Sequence, residues 1–187
     1  EMEESGRQDM EINSRIEKAL KVYHLMNKSF ISKKEISKKT KTNVFKTVFR
    51  PILTFGCETW VLSKAQKSKI QATEMKYLRR VKGVSRMDKV RNQIIREDLH
   101  VQPTLDFVED RQLAWWGHLQ RMGNARPVKR IWEAKAQKKK QRGRPRQTWD
   151  GTIGEILKKK NKTWAEARIL AQNKKEWAKF VYGTRIQ

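Results

Sequence analysis

The sequence predicts an all-α protein: a helical bundle, a basic linker and a small C-terminal helical pair. Apolar residues recur at steps of three and four along most of the chain, as expected for helices with one buried face. Several Ser or Thr residues stand three positions before Glu or Gln, a pattern typical of helix starts. No segment shows the strict alternation of apolar and polar residues that indicates a strand.

The first two helices follow from apolar spacing and one capping pair. Ser32 with Glu35 forms a capping pair that predicts the start of a second helix, which Pro51 should kink or break. Gly56 indicates a turn after it. The first helix is indicated by the stripe Ile12, Ile16, Ala19, Leu20, Tyr23, Met26 and Phe30.

Three further helices are predicted in the middle of the chain. Ser63 and Gln66 form a second capping pair, and the helix that they open should end at Gly83. A short basic helix is expected over 88–99. Thr104 is expected to cap a longer helix with the apolar residues Leu105, Val108, Trp115, Trp116, Leu119 and Met122.

The last part of the chain alternates helices with a strongly basic segment. We expect a short helix around Ile131, followed by a basic linker that is extended because its like charges repel each other. A helix over 148–160 and a last helix opened by Thr163 and Glu166 should follow the linker. The predicted organisation is an acidic N-terminal remnant over 1–10, a helical bundle over 11–122, a connecting helix over 123–137, the basic linker over 138–147 and a helical tail over 148–187.

The charge balance points to a polyanionic partner. The 187 residues include 44 Lys and Arg against 20 Asp and Glu, a formal net charge of +24. Such an excess favours binding to nucleic acid. No apolar run is long enough to span a membrane, and no signal peptide is visible. We therefore expect no membrane partner and a nuclear, or otherwise cytoplasmic, protein.

The residues give little support for catalysis or metal binding. A polymerase or nuclease needs converging carboxylates to hold metal ions. The adjacent pairs Glu97–Asp98 and Glu109–Asp110 instead point about 100° apart on a helix, and we interpret them as partners of nearby bases. Cys57 stands alone, which argues against a disulfide or zinc site. His118 lies in an apolar stripe, which favours a packed histidine over a general base. No catalytic residue, metal or cofactor is predicted.

The basic linker is the sharpest local signal for binding. In Arg142-Gly143-Arg144-Pro145-Arg146, Gly allows close backbone approach and Pro keeps the chain extended. The segment resembles the core of an AT-hook, whose arginines lie in a narrow A·T-rich minor groove. Lys138, Lys139 and Lys140 would add phosphate contacts. A nonspecific basic linker and a nuclear-import signal are the alternatives.

A second basic surface is expected on the helices. Its bases lie opposite or beside the apolar stripes, where they could follow a duplex backbone without reading sequence. An ordinary solvated helix face is the alternative for any one helix. The residues concerned are Lys76, Arg79, Arg80, Lys82, Arg86, Lys89, Arg91 and Arg96.

An ordered set of short motifs runs through nearly the whole chain. The motifs are Glu11 to Ile16; Arg50 to Trp60, with Phe55, Gly56, Glu58 and Trp60; Met75 to Gly83; Arg91-Asn92; Arg111 to Leu113; Trp116-Gly117-His118 and on to Met122; Arg142 to Trp149; and Lys174 to Trp177. Taken in this order, which is more specific than any single motif, they resemble the C-terminal region of non-LTR (LINE-type) retrotransposon reverse transcriptases.

The resemblance implies that the bundle is thumb-like and holds a template–primer duplex, an RNA–DNA hybrid or DNA. Position 55 is usually Tyr in the family, so Phe55 puts any hydrogen bond of that hydroxyl in doubt. The palm's Tyr-x-Asp-Asp metal site is absent from this sequence. We therefore expect a nucleic-acid-binding fragment without catalysis of its own, with a polymerase palm as a second partner. The alternatives are one part of an active RNA-directed DNA polymerase whose palm is encoded upstream, and a nonfunctional transposon relic.

Overall fold

The computed structural model describes residues 8–134 and 147–183. Every regular element in these two ranges is a helix, which confirms the all-α prediction. The chain forms two compact units, Glu1–Val108 and Glu109–Gln187. No helix within the described ranges combines the length and apolar character needed to cross a membrane.

The first unit is built around one long helix, α4, which the sequence predicts closely. Ser63 accepts a hydrogen bond from the Gln66 backbone N–H, and Gln66 returns one to the Ser63 N–H. Gly83 ends the helix in the left-handed conformation with φ of 81°. The helices of this unit are α1 (Asp9–Met26), α2 (Lys38–Val44), α3 (Arg50–Leu53), α4 (Lys64–Lys82), α5 (Asn92–Asp98) and the start of α6 (Thr104–Arg121).

Tyr77 of α4 is the centre of the aromatic packing in the first unit. Its ring centroid lies 4.8 Å from that of Phe49 and 5.3 Å from that of Phe45. Its hydroxyl donates a 3.1 Å hydrogen bond to the Lys41 carbonyl oxygen. Burial raises the pKa of the Tyr77 hydroxyl, so the side chain stays neutral and anchors α4 to α2.

Glu74, on the same buried face of α4, ties three helices together. Its carboxylate is fully buried and accepts hydrogen bonds from Arg96 Nε at 3.2 Å and Nη2 at 2.7 Å. It also accepts a 3.1 Å bond from the Thr104 backbone N–H, one of the donors left open at the start of α6. The Arg50 guanidinium lies over the Phe107 ring, 4.2 Å from its centroid. Burial lowers the pKa of Arg50, and the nearby Glu74 charge opposes that shift.

The second predicted helix begins later than expected, and Pro51 does not break it. Ser37, not Ser32, is the N-cap, because its hydroxyl accepts from the Thr40 N–H at 3.1 Å. A π-helical turn over Phe45–Phe49 connects α2 directly to α3, which begins at Arg50. Pro51 then lies in the first turn of α3, where its missing N–H costs little.

Two other helix starts also differ from the sequence prediction. The basic helix predicted over 88–99 begins only at Asn92, because the Asp88 carboxylate instead closes a turn with Ser85. Thr104 is the first residue of α6 and not its cap. The Glu74 carboxylate binds its N–H from across the unit, and a single-helix pattern gives no sign of that contact.

The second unit packs its helices around tryptophans. Trp116 has its ring centroid 5.2 Å from that of Trp177. The predicted last helix is split at Asn173, whose side chain accepts from the Lys175 and Glu176 N–H groups and caps the final helix. The helices here are the rest of α6, α7 (Pro127–Glu133), α8 (Trp149–Lys159), α9 (Trp164–Gln172) and α10 (Lys174–Tyr182).

The boundary between the compact units lies inside α6, whereas the sequence suggested that the bundle ends at 122. The reason is visible in the packing of α6. Val108 belongs to the apolar core of the first unit, but Leu113 and Trp116 belong to that of the second. A continuous apolar stripe does not reveal that its two halves face different cores.

Replacing Glu74 by Gln should destabilise the first unit by about 3 kcal/mol. The substitution leaves the Arg96 charge partly buried without its partner, and breaking such a pair typically costs roughly 3–5 kcal/mol. Urea unfolding followed by circular dichroism measures the loss.

Glu97→Gln is the matched control. Glu97 is exposed and accepts a bond from Gln93, one turn earlier on α5, so its replacement should change the free energy of unfolding by less than about 0.5 kcal/mol. Equal effects of the two substitutions would contradict the role assigned to Glu74.

Candidate nucleic-acid interface

An open groove in the first unit brings together bases that the sequence singled out. It has a volume of about 1020 Å³ and is lined by α4 from Ser68 to Arg80, by Leu20 and Tyr23 of α1, and by the loop after α4. Its basic lining residues are Lys76, Arg79, Arg80 and Arg86, and Asp88 is its acidic lining residue. The groove therefore carries a strong excess of positive charge.

The helical period explains why bases of α4 face this groove. Lys76 lies two positions after the buried Glu74, which turns it by about 200° about the helix axis. Lys76 and Arg80 are four positions apart and so share one face, with Cβ atoms about 6 Å apart. Both side chains are exposed. The hydrogen bonds of the Glu74 carboxylate thus fix the side of α4 on which these bases lie.

Residues of α1 and of the segment directly after it border the exposed bases. Lys76 Nζ lies 3.2 Å from His24 Nε2 and 5.1 Å from the centroid of the Tyr23 ring. Arg80 Nε donates to Asn27 Oδ1 at 3.1 Å and to Ser32 Oγ at 2.9 Å. Across residues 8–134, no bond is formed by the terminal nitrogens of Arg80. These contacts orient the guanidinium and leave those nitrogens available to a ligand.

Arg79 has a different role from its neighbour. Its Nη2 donates to the Val90 carbonyl oxygen at 3.2 Å and to Asn92 Oδ1 at 2.8 Å. It therefore holds the far end of the loop after Gly83 against α4. Although Arg79 lines the groove, part of its bonding capacity is used within the protein, so a contact to nucleic acid stays a prediction.

Several other predicted bases lie elsewhere. Arg96 belongs to the buried ion pair with Glu74, so its assignment to the basic surface was wrong. Lys82 pairs with Asp98 at 2.7 Å. Arg91 is exposed as the residue before α5 but is not among the groove lining. Helix periodicity placed these residues on a surface and did not reveal which have partners.

The linker residues of the prediction lie outside the described residues. They are Lys138, Lys139, Lys140, Arg142, Gly143, Arg144, Pro145 and Arg146. Their assignment to nucleic-acid binding remains a prediction from sequence.

The motif around position 55 forms a tight turn in the first unit. Gly56 has φ of 75°, a left-handed conformation that favours glycine, and Trp60 is buried. Phe55 is 64% exposed, and the Arg15 guanidinium lies 4.5 Å from its ring centroid. Glu58, the other residue of this motif, is half-buried in a 3₁₀ turn. The turn is thus built on Gly56 and Trp60 and displays an aromatic face.

The Trp116-Gly117-His118 motif is explained by packing in the second unit. Trp177 Nε1 donates a 3.0 Å hydrogen bond to the Leu113 carbonyl oxygen, and its indole lies where a side chain at Gly117 would stand. His118 is exposed and stacks at a tilt on Trp115, with centroids 5.4 Å apart. The expected packed histidine was wrong, because His118 lies on the outer face of α6.

The adjacent carboxylates have basic or amide partners. Asp98 pairs with Lys82, Glu109 with Lys159 at 2.8 Å and Asp110 with Lys160 at 3.0 Å, while Glu97 accepts from Gln93. The Lys82 ammonium, through its hydrogen bond, lowers the pKa of Asp98. The predicted pairing with nearby bases is confirmed for Asp98, Glu109 and Asp110, whereas Glu97 has an amide partner instead. Within 8–134 and 147–183, no group of three or more His, Cys, Asp or Glu residues could hold a metal ion.

Sequence reasoning missed several residues that position the groove. It did not find His24 of α1 or Asn27 of the π-helical turn Asn27–Ile31 that follows, which contact Lys76 and Arg80, or the Ser85–Asp88 turn. Ser32 was interpreted as a helix cap and instead accepts a bond from Arg80. The Ser-x-x-Asp spacing at 85–88 was the one available signal, since it matches a capping box in form.

Comparison with known proteins gives one relevant similarity. A stretch of 93 residues, 48% of this chain, is 32% identical to an uncharacterized transposon-derived protein of Caenorhabditis elegans. The matched stretch covers 33% of that protein, so the chain spans about a third of the relative's length. No family model matches the chain, and no solved structure matches it. The similarity points to a transposon origin.

Replacing Gly117 by Ala should destabilise the second unit by about 2–3 kcal/mol. A methyl group at this position would overlap the Trp177 indole, and overpacking typically costs roughly 1–3 kcal/mol. Denaturant unfolding monitored by tryptophan fluorescence measures the change.

Gly123→Ala serves as the control. A Cβ at Gly123 meets no atom within 4 Å, so this variant should unfold within about 0.5 kcal/mol of the unchanged protein. If the two alanine variants are equally stable, the packing account of the motif is wrong.

Proposed function

We propose that this chain is a nucleic-acid-binding segment of a non-LTR retrotransposon reverse transcriptase, which grips a template–primer or DNA duplex through its phosphates. The observation that carries the proposal is the groove on α4, with Lys76, Arg80 and Arg86 exposed around it. The similarity to a transposon-derived protein and the ordered motifs support the same interpretation.

The groove chemistry suits phosphate and not base readout. Arginine presents a planar fork of donors to phosphate, and lysine a compact positive charge. The one acid of the lining, Asp88, already accepts two hydrogen bonds from Ser85. Neighbouring cations on one helix face can bind one strand of a backbone and fix its position without reading sequence.

The segment would not catalyse by itself under this proposal. The Tyr-x-Asp-Asp signature of the palm is absent from the sequence, and a phosphoryl-transfer site needs carboxylates around metal ions. The partners proposed are therefore an RNA–DNA hybrid or DNA duplex and a polymerase palm.

One alternative is that the chain forms part of an active RNA-directed DNA polymerase. The worm relative extends well beyond the matched stretch, which covers 33% of it, as a protein with further domains would. Coding sequence upstream of Glu1 that specifies the paired aspartates of a palm would support it. A nonfunctional relic is the remaining alternative, and a lack of transcript and protein in the cell would support that one.

Removing three groove charges should weaken duplex binding and its salt dependence. In the triple variant Lys76→Gln, Arg80→Gln, Arg86→Gln, the slope of log affinity against log salt should become shallower by about 2–3, since each B-DNA phosphate contact contributes roughly 0.9. Fluorescence anisotropy with a labelled duplex across a salt series measures the slope.

The control removes the same charge from exposed lysines outside the groove lining, in the variant Lys38→Gln, Lys39→Gln, Lys64→Gln. Its slope should change by less than about 1. Equal slopes for the two triple variants, or no duplex binding by the unchanged protein, would reject the proposal.

The basic linker supplies a separate prediction about sequence preference. Replacing Arg142 and Arg144 by Ala should abolish a preference for A·T-rich over G·C-rich duplex, because arginine is attracted to the narrow A·T minor groove. The double variant Lys139→Ala, Lys140→Ala removes the same charge and should keep the preference. Competition binding with the two duplexes measures it. A preference that survives loss of both arginines would leave the linker as a nonspecific phosphate contact.

A further inference from the structure

Met87 is an apolar side chain displayed at the rim of the basic groove. It is 86% exposed, the largest value among the exposed large hydrophobic residues of the described ranges. Its neighbours Arg86 and Asp88 both line the groove. Single exposed apolar residues are common on protein surfaces, so exposure alone does not indicate a binding role for Met87.

The turn that carries Met87 is held by specific hydrogen bonds. The Asp88 carboxylate accepts from the Ser85 N–H at 2.6 Å and from Ser85 Oγ at 3.0 Å. The Met87 N–H in turn donates to Ser85 Oγ at 3.1 Å. The two hydrogen bonds from Ser85, the backbone one first, lower the pKa of Asp88, so its carboxylate is ionised at neutral pH and held in the turn. The backbone at Met87 therefore has a defined position, from which the side chain extends into solvent.

Both ends of the loop are anchored to the first unit. Val84 and Val90 pack against its apolar core. Arg79 binds the Val90 carbonyl oxygen and the Asn92 side chain. Lys89 has φ of 52°, a left-handed conformation that is unfavourable for a residue with a side chain. The anchored loop places the exposed residues Arg86, Met87 and Lys89 together beyond the core.

An unbranched apolar side chain among cations fits the base-pair step of a bound duplex. Proteins that bind the minor groove often insert Met, Leu, Ile or Phe between bases, while nearby Arg and Lys neutralise the phosphates. The excess of bases around Met87 favours this occupant over an apolar pocket on another protein. Arg86 and Lys89 can hold the backbone on either side of the inserted side chain.

We propose that Met87 is a wedge that enters the minor groove of the duplex and partly unstacks one base step. This inference rests on the proposed function and deepens it. The basic residues would supply affinity through phosphates, and Met87 would set how the duplex is distorted where it meets the loop.

The test uses short duplexes that carry 2-aminopurine at successive positions, because this base brightens when it is unstacked. The full chain should raise the fluorescence at one or two positions by about twofold or more, as a wedge opens a step. Met87→Ser should abolish most of that rise, whereas Met87→Leu should retain it. Leu25→Ser changes a residue that is 78% exposed and outside the groove lining, so it should also retain the rise.

The outcomes separate this inference from the proposed function. Salt-dependent binding of Met87→Ser without the fluorescence rise supports both. Salt-dependent binding of the unchanged protein with no rise at any position overturns the wedge and leaves phosphate gripping intact; Met87 would then be a contact for another polypeptide. Absence of duplex binding by the unchanged protein overturns the proposed function and the wedge together.

Discussion

The buried carboxylate of Glu74 is the constraint on which the first unit depends. It accepts hydrogen bonds from Nε and Nη2 of Arg96 and from the first N–H of α6, and so joins α4, α5 and α6 at one point. A buried charge is tolerated only when its partners are in place. The bond therefore fixes the rotation of α4 about its axis as well as the position of its neighbours.

The basic groove follows from that fixed rotation. With Glu74 and Tyr77 inward, Lys76 is turned by about 200° and Arg80 by about 240° from Glu74 around the helix axis, and both side chains are exposed. Arg79, between the two faces, links α4 to the loop that carries Arg86 and Met87. Fold and site therefore share one helix: its inner face supplies stability and its outer face supplies charge for a phosphate backbone.

Local signals predicted much of this structure, whereas contacts between distant segments were beyond them. The Ser63–Gln66 capping box and the Gly83 terminus were predicted because their hydrogen bonds join residues a few positions apart. Arg96 was assigned to the surface because its partner, Glu74, lies on another helix. Asn173 splits the predicted last helix because its side chain caps a new helix start. This effect is local, but the apolar spacing continues across Asn173 and therefore predicted a single helix. The groove itself depends on residues of α1 that no spacing within α4 could indicate.

Hydrogen–deuterium exchange with and without duplex tests most directly whether nucleic acid occupies the groove. Addition of a saturating duplex should slow the exchange of backbone amides over 76–92, a range that covers the C-terminal end of α4 and the loop that carries Met87. The exchange of amides over 38–44, in α2, should not change. Slower exchange confined to other segments, with 76–92 unaffected under conditions where the duplex is bound, would contradict the account.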